Sequence, residues 1–253
     1  MAKNSDNLLH DVAVELRNQF RPPYTLVINT SVSGAISLAL FLGSLALGSI
    51  NDKLLPFAAT VILLWTLSDV FLTNQLVYDR ERVIRRLEEG RNVEHLMRVK
   101  NITVAIMSIP LCIIFGLVMV AVLGKWSELI NGLLLAIALI WGWLGVSNIV
   151  AVQLPFKLLP FSEVRHERRT FIRYTLLYCL PWLLLPIYDA ILILPLILLH
   201  WITGATVSAH MALALVLVAI VSLTIWQIGV RYASRHVTEP TSKIRRLLSE
   251  MDG

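Results

Sequence analysis

Two carboxylates, Asp69 and Asp189, lie inside long apolar runs of the chain. An acid at the centre of a bilayer costs about 2.5–3.5 kcal/mol on insertion scales, so such residues usually face a bundle interior or a cavity. No Lys or Arg lies well inside an apolar run to neutralise them. Each must therefore be protonated or hydrogen-bonded. Ser68, Thr73 and Asn74 are placed to serve Asp69, and Tyr188 adjoins Asp189. One reading is a polar substrate path or proton relay running past Asp69, Asn74 and Asp189. The other is adhesion between helices by hydrogen bonding. Both stand at this level.

Other reactive constellations are missing. The sequence has no GxxxxGK[ST] run for cradling nucleotide phosphates, so ATP hydrolysis by that route is not expected of this chain. It has no HExxH; His166-Glu167 and Glu94-His95 are isolated pairs in basic stretches, and no metal site is expected. Glu88-Glu89 sits in a charged stretch rather than in an apolar one, and Ser31-Val32-Ser33-Gly34 has no suitably placed histidine. His200 and His210 flank a short connector and read as interfacial residues. Cys112 and Cys179 lie in apolar runs, where free thiols are expected. An enzyme is therefore not expected, and no cofactor is assigned to the chain itself.

The elements that position these residues follow from composition. Hydrophobic residues make up 57% of the chain and charged ones 15%. About 20 apolar residues span the hydrocarbon core as a helix. Six runs meet that length: residues 25–50, 54–78, 102–124, 128–153, 174–202 and 206–232. The expectation is an all-α polytopic membrane protein with six transmembrane helices in residues 24–232. An interfacial segment (1–23) precedes them and an amphipathic tail (233–253) follows. Of the 22 Lys and Arg residues, 20 fall in four segments: the N-terminus, Arg80 to Lys100, Lys157 to Arg173, and the tail from Arg231. Loops rich in Lys and Arg stay on the cytoplasmic side, so both termini are expected there. The net charge of +5 then reflects orientation and anionic membrane lipids, not nucleic acid.

Residues 5–20 predict an amphipathic helix lying in the cytoplasmic interface, capped by Ser5 or Asp6 and ended by Pro22-Pro23. Leu8, Leu9, Val12, Leu16 and Phe20 form its apolar side, with His10, Asp11, Glu15, Arg17 and Asn18 facing away. Outer connectors are short, near Asn51 to Lys53, Lys125 to Ser127 and Thr203 to Ala205, which leaves no room for an outer domain. Ser44 and Gly48 have the spacing of a close helix contact. Asp79 to Lys100 reads as helix, break, helix. Val83, Ile84 and Leu87 form an apolar edge, Gly90 suits a helix end, and Asn92 caps a second short turn carrying Val93, Leu96 and Met97. Its alternating charges and apolar edge suit the docking of a protein partner.

Several of these stretches resemble ABC-2-type transporter permeases of actinobacteria. Trp65-Thr66-Leu67-Ser68-Asp69-Val70, then Thr73-Asn74 and Asp79-Arg80, is similar to the end of their second span. Leu87 to Gly90 and Lys100-Asn101 resemble their first cytoplasmic loop. Asn148, Leu154-Pro155, Pro160, Arg168-Arg169 and Pro181 resemble the region around their second. The resemblance implies a permease in the bacterial cell membrane, paired with a second copy or paralogue. Two separate ATPase subunits would carry ATP and Mg and drive it. It implies that Asp79, Arg82, Arg85, Arg86, Leu87, Glu88, Glu89, Gly90 and Arg91 couple to the ATPase. The EAA-x3-G signature of importers is absent, and the missing outer domain suits export of a lipid, glycolipid or hydrophobic drug. A proton-coupled secondary transporter using Asp69 and Asp189, or a non-transporting membrane scaffold, are the alternatives.

Overall fold

The computed structural model describes residues 7–21, 24–46, 62–63, 67, 83–85, 88–89, 93–124, 126–153, 179, 187, 194, 198 and 207–239, and the continuous helices among these are four long ones and one short one. They are α1 (Leu8–Gln19), α2 (Thr25–Ala46), α3 (Val93–Leu123), α4 (Trp126–Gln153) and α5 (Val207–Thr238). The described residues contain no strand. α2 to α5 are each long and apolar enough to cross a membrane, over Leu26–Ala46, Val93–Val122, Gly132–Gln153 and Leu215–Thr238. They fall on the first, third, fourth and sixth expected spans. Within the second and fifth, Ile62, Leu63, Leu67, Cys179, Ile187, Leu194 and Leu198 are helical. The remainder of those two spans, the stretch 154–178 and the tail beyond 239 lie outside the described residues.

Local chemistry explains where the helices begin and end. Asn7, rather than Ser5 or Asp6, caps α1: its side-chain oxygen accepts from the His10 N–H at 3.4 Å, a job any short polar side chain next to the first turn can do. Between α1 and α2, Tyr24 adopts φ 55°, a left-handed conformation seldom taken by a bulky residue, and the chain turns there into α2. α3 ends at Gly124, whose φ of 68° and N–H bond to the Val120 carbonyl (2.7 Å) make a left-handed helix stop. α4 restarts at Trp126, so the α3–α4 hairpin is tighter than the sequence suggested.

α3 is also longer than expected. Val93 to Lys100 is not a separate capped turn but the first two turns of the helix, which runs 31 residues, about 46 Å. Pro110 lies inside it without ending it. Hydroxyls along the spans turn inward to their own backbone: Thr30, Ser37, Thr103, Ser108 and Thr224 each donate to the carbonyl four residues back, at 2.7–2.9 Å. That is the usual way for a small polar residue to be tolerated in an apolar helix.

The core is a stripe on each helix. Val93, Leu96, Met97, Val104, Ala105, Cys112 and Phe115 of α3 meet Leu139, Ile140, Trp143 and Leu144 of α4 and Val218, Val230, Ala233 and Val237 of α5. α2 joins the cluster through Phe41, whose ring lies 5.2 Å from that of Phe115. Large exposed side chains such as Ile28, Ile114, Leu134, Ile220 and Ile228 cover the outside, the distribution expected where lipid is the surrounding solvent. Cys112 and Cys179 are both free, as expected.

Candidate functional site

Polar side chains gather at one end of the bundle, and α1 is the first part of it. The docked face of α1 takes in only part of its apolar side, Val12 with the half-buried Leu8 and Leu16, and extends onto its polar side. Val12 and Glu15 are buried, whereas Leu9 and Phe20 are exposed. Asp11 meets His95 at 2.8 Å and Glu15 meets Lys100 at 3.8 Å, joining α1 to the first two turns of α3. Gln19 donates to Glu15 at 2.9 Å from the next turn of α1. Asp11 and Glu15, expected on the side away from the apolar residues, are thus partnered by basic groups on α3. Leu9 and Phe20 occupy a second flank of the helix, roughly a quarter turn round, and stay free for lipid.

α4 and α5 are joined by backbone contact. A Cβ on Gly145 would lie 2.5 Å from the Ile225 carbonyl oxygen, and one on Gly229 would strike the Gly145 carbonyl oxygen. Only glycine at both positions lets the helices approach this closely. Trp141 stacks edge-on against Trp226 (4.8 Å), and Gln153 donates to the Tyr232 hydroxyl. Contacts that advance together along both helices mean that α4 and α5 run parallel. Ser44, half of the expected small-residue pair, instead donates to the Leu40 carbonyl of its own helix, and Gly48 lies outside the described residues.

Just inside the Gln153–Tyr232 contact lies a polar layer. On α3, Arg98 pairs with Glu94 (2.6 Å), donates to the Gln227 side chain of α5 (3.1 Å) and lies 6.0 Å over the Trp226 ring. Gln227 precedes Tyr232 by five residues and Asn148 precedes Gln153 by five, about 7.5 Å in each helix. Asn148 is thus level with Gln227 and Arg98, and Asn101 lies one turn further along α3. These groups differ from the self-satisfied hydroxyls. Both amide atoms of Asn101, the amide nitrogen of Asn148 and the indole nitrogen of Trp226 are buried without a hydrogen-bond partner. Asn101 is 1% exposed and Asn148 5%. Each such orphan costs about 1–3 kcal/mol.

The expected site residues divide. Of the coupling group, Arg85, Glu88 and Glu89 are described: Arg85 and Glu89 pair weakly at 4.0 Å across one turn, closed by a 2.9 Å backbone bond, and all three are exposed. Asp79, Arg82, Arg86, Leu87, Gly90 and Arg91 lie outside the described residues, as do Asp69, Asn74 and Asp189. Val83, Val93, Leu96 and Met97 pack in the chain's own core. The apolar edge of this stretch therefore needs no partner to explain it. Among the described residues of the stretch, Arg85, Glu88 and Glu89 form an exposed charged rim. Asn101 and Asn148 enter the sequence reading only through the family resemblance, with no site role attached. Asn101 follows Lys100 and Asn148 follows Ser147, so neither stands out as a lone polar residue in an apolar run.

Among the described residues no group of three His, Cys, Asp or Glu side chains is placed to hold a metal ion. Nothing in the layer couples a nucleophile to a base; its chemistry is hydrogen bonding in a low-dielectric interior. Comparison with protein-family models, with curated proteins and with solved structures finds no match.

Proposed function

We propose that this chain is the membrane-embedded permease subunit of an ABC-type exporter in a bacterial cell membrane. Its cargo would be a lipid-like, glycolipid or hydrophobic molecule. Both termini and the polar layer would lie on the cytoplasmic side, among six spans. A separate ATPase, supplying ATP and Mg chemistry, would dock on the charged rim at Arg85, Glu88 and Glu89, and a second permease copy or paralogue would complete a 2+2 assembly.

One observation carries the reading. The exposed Arg85–Glu89 turn stands just ahead of α3, which starts buried at Val93 and continues as one helix through the apolar core. A push on the rim would be passed to α3 as a whole, since a packed helix moves as a rigid body. α1, tied to the same two turns, would move with it.

The test is purification in mild detergent or nanodiscs, followed by ATPase measurement. A Walker-motif ATPase is expected to co-purify, and R85E with E89R is expected to lower its stimulated rate by about tenfold, the effect of losing about 1.4 kcal/mol of docking. Absence of any such ATPase, or an unchanged rate in the charge-reversed variant, would count decisively against the proposal.

A further inference from the structure

We infer that Asn101, Asn148 and Trp226 form a binding site for the uncharged, hydroxyl-bearing headgroup of an amphiphile, of which a glycosyl diacylglycerol is the simplest example. Three buried side chains on three helices hold unmet hydrogen-bonding capacity within about one helical turn of the same level. The inventory is specific. Two amide NH2 groups and one indole N–H donate, and the Asn101 carbonyl accepts. A sugar presents several oxygens that accept and hydroxyls that also donate, which matches this set.

Charge selects against a phosphate. Arg98, the cation of the layer, is already balanced by Glu94 at 2.6 Å. An anionic headgroup would enter an apolar interior with its charge uncompensated, beside a carboxylate. A neutral headgroup meets no such obstacle.

The way in follows from how the helices are held. α4 and α5 are locked backbone to backbone at Gly145 and Gly229. α3 is held to α5 here by side chains, through Arg98 to Gln227 and Trp226. The seam that parts is therefore the one between α3 and the α4–α5 pair, where Arg98 lies, with Asn101 one turn along α3 from it. Unmet polar atoms weaken that seam when it is empty and reward a headgroup that fills it. Identifying this as the cargo site rests on the permease reading; binding itself needs no ATPase.

The experiment uses the full chain alone in phosphatidylcholine nanodiscs. These carry equal amounts of glucosyl diacylglycerol, phosphatidylglycerol and diacylglycerol with the same acyl chains. Native mass spectrometry reads the lipid retained, and thermal melting reads stability. The wild type is expected to retain the glucosyl lipid over either competitor by about tenfold, the worth of one well-made hydrogen bond. Asn101→Leu, which keeps the branched shape and removes the amide, should bring retention close to parity. It should also raise the melting temperature by about 2–4 °C without glycolipid, because an orphan has been removed. Asn148→Leu repeats the test from α4 should Asn101→Leu fail to fold. Equal retention by the wild type, preference for phosphatidylglycerol, or a lower melting temperature with unchanged lipid selectivity would overturn the site. The last outcome would mark the amides as packing or water-binding groups. Because no ATPase is present, failure here leaves the exporter proposal standing, and failure of ATPase co-purification leaves this site standing.

Discussion

At the scale of single residues, the Glu15–Lys100 pair is the contact on which α1 most depends. Both side chains are 7% exposed, so each charge has lost most of its water and is partly compensated by the other. Removing one partner of a buried pair leaves the other uncompensated and typically costs about 3–5 kcal/mol, whereas replacing both with apolar residues of similar size is often close to neutral. Lys100→Ala is therefore expected to destabilise the protein by about 3 kcal/mol or more, and the double variant E15L/K100M by far less. Unfolding followed by tryptophan fluorescence in detergent micelles, run as a double-mutant cycle, checks this. Equal losses in the single and double variants would dissociate the two residues. None of this was readable beforehand. Helical periodicity separates a polar from an apolar side but does not say which polar residues will find a charge 85 positions away. In the sequence Lys100 reads as a cytoplasmic charge and as part of the loop resemblance, not as a partner for α1.

At the scale of elements, two glycines in apolar helices should respond in opposite directions. A methyl on Gly229 meets backbone, which does not yield as a side chain would, so Gly229→Ala should lose about 1–3 kcal/mol through overpacking. A methyl on Gly43 of α2 meets nothing within 4 Å, so Gly43→Ala should gain about 0.5–1 kcal/mol from helix propensity. Thermal melting of the two variants side by side decides it, and a stabilising Gly229→Ala would show that the α4–α5 contact is looser than described. Spans α2 to α5 were legible because apolar length alone announces them, and their ends fell within a few residues of expectation, apart from the extension of α3 to Val93 and of α5 to Thr238. The glycine contact was not legible. Gly145 and Gly229 sit on different spans, and their meeting is a property of helix pairing, which one sequence does not display. Ser44 and Gly48 had the better local spacing.

At the scale of the whole molecule, the described helices place the α3–α4 turn and the end of α5 at opposite ends of the bundle. α4 and α5 run parallel and α3 returns against α4. K125C and E239C, each in a chain lacking Cys112 and Cys179, should therefore react with a membrane-impermeant maleimide from opposite sides of a sealed vesicle. Labelling of both from one side would rule out the topology read from the charge distribution. That distribution made the basic end of the bundle legible, but not that Asp11, Glu15 and Glu94 would be drawn into it as partners. The glycine contact also has a consequence for biogenesis. Gly145 and Gly229 are 84 positions apart, so α4 leaves the ribosome long before its mate exists. At about 5–20 residues per second, its glycine notch waits on the order of 4 to 17 seconds for α5. Until then it offers small-residue backbone to any passing helix. Chains halted before Gly229 would keep that notch unfilled and be natural prey for membrane quality control.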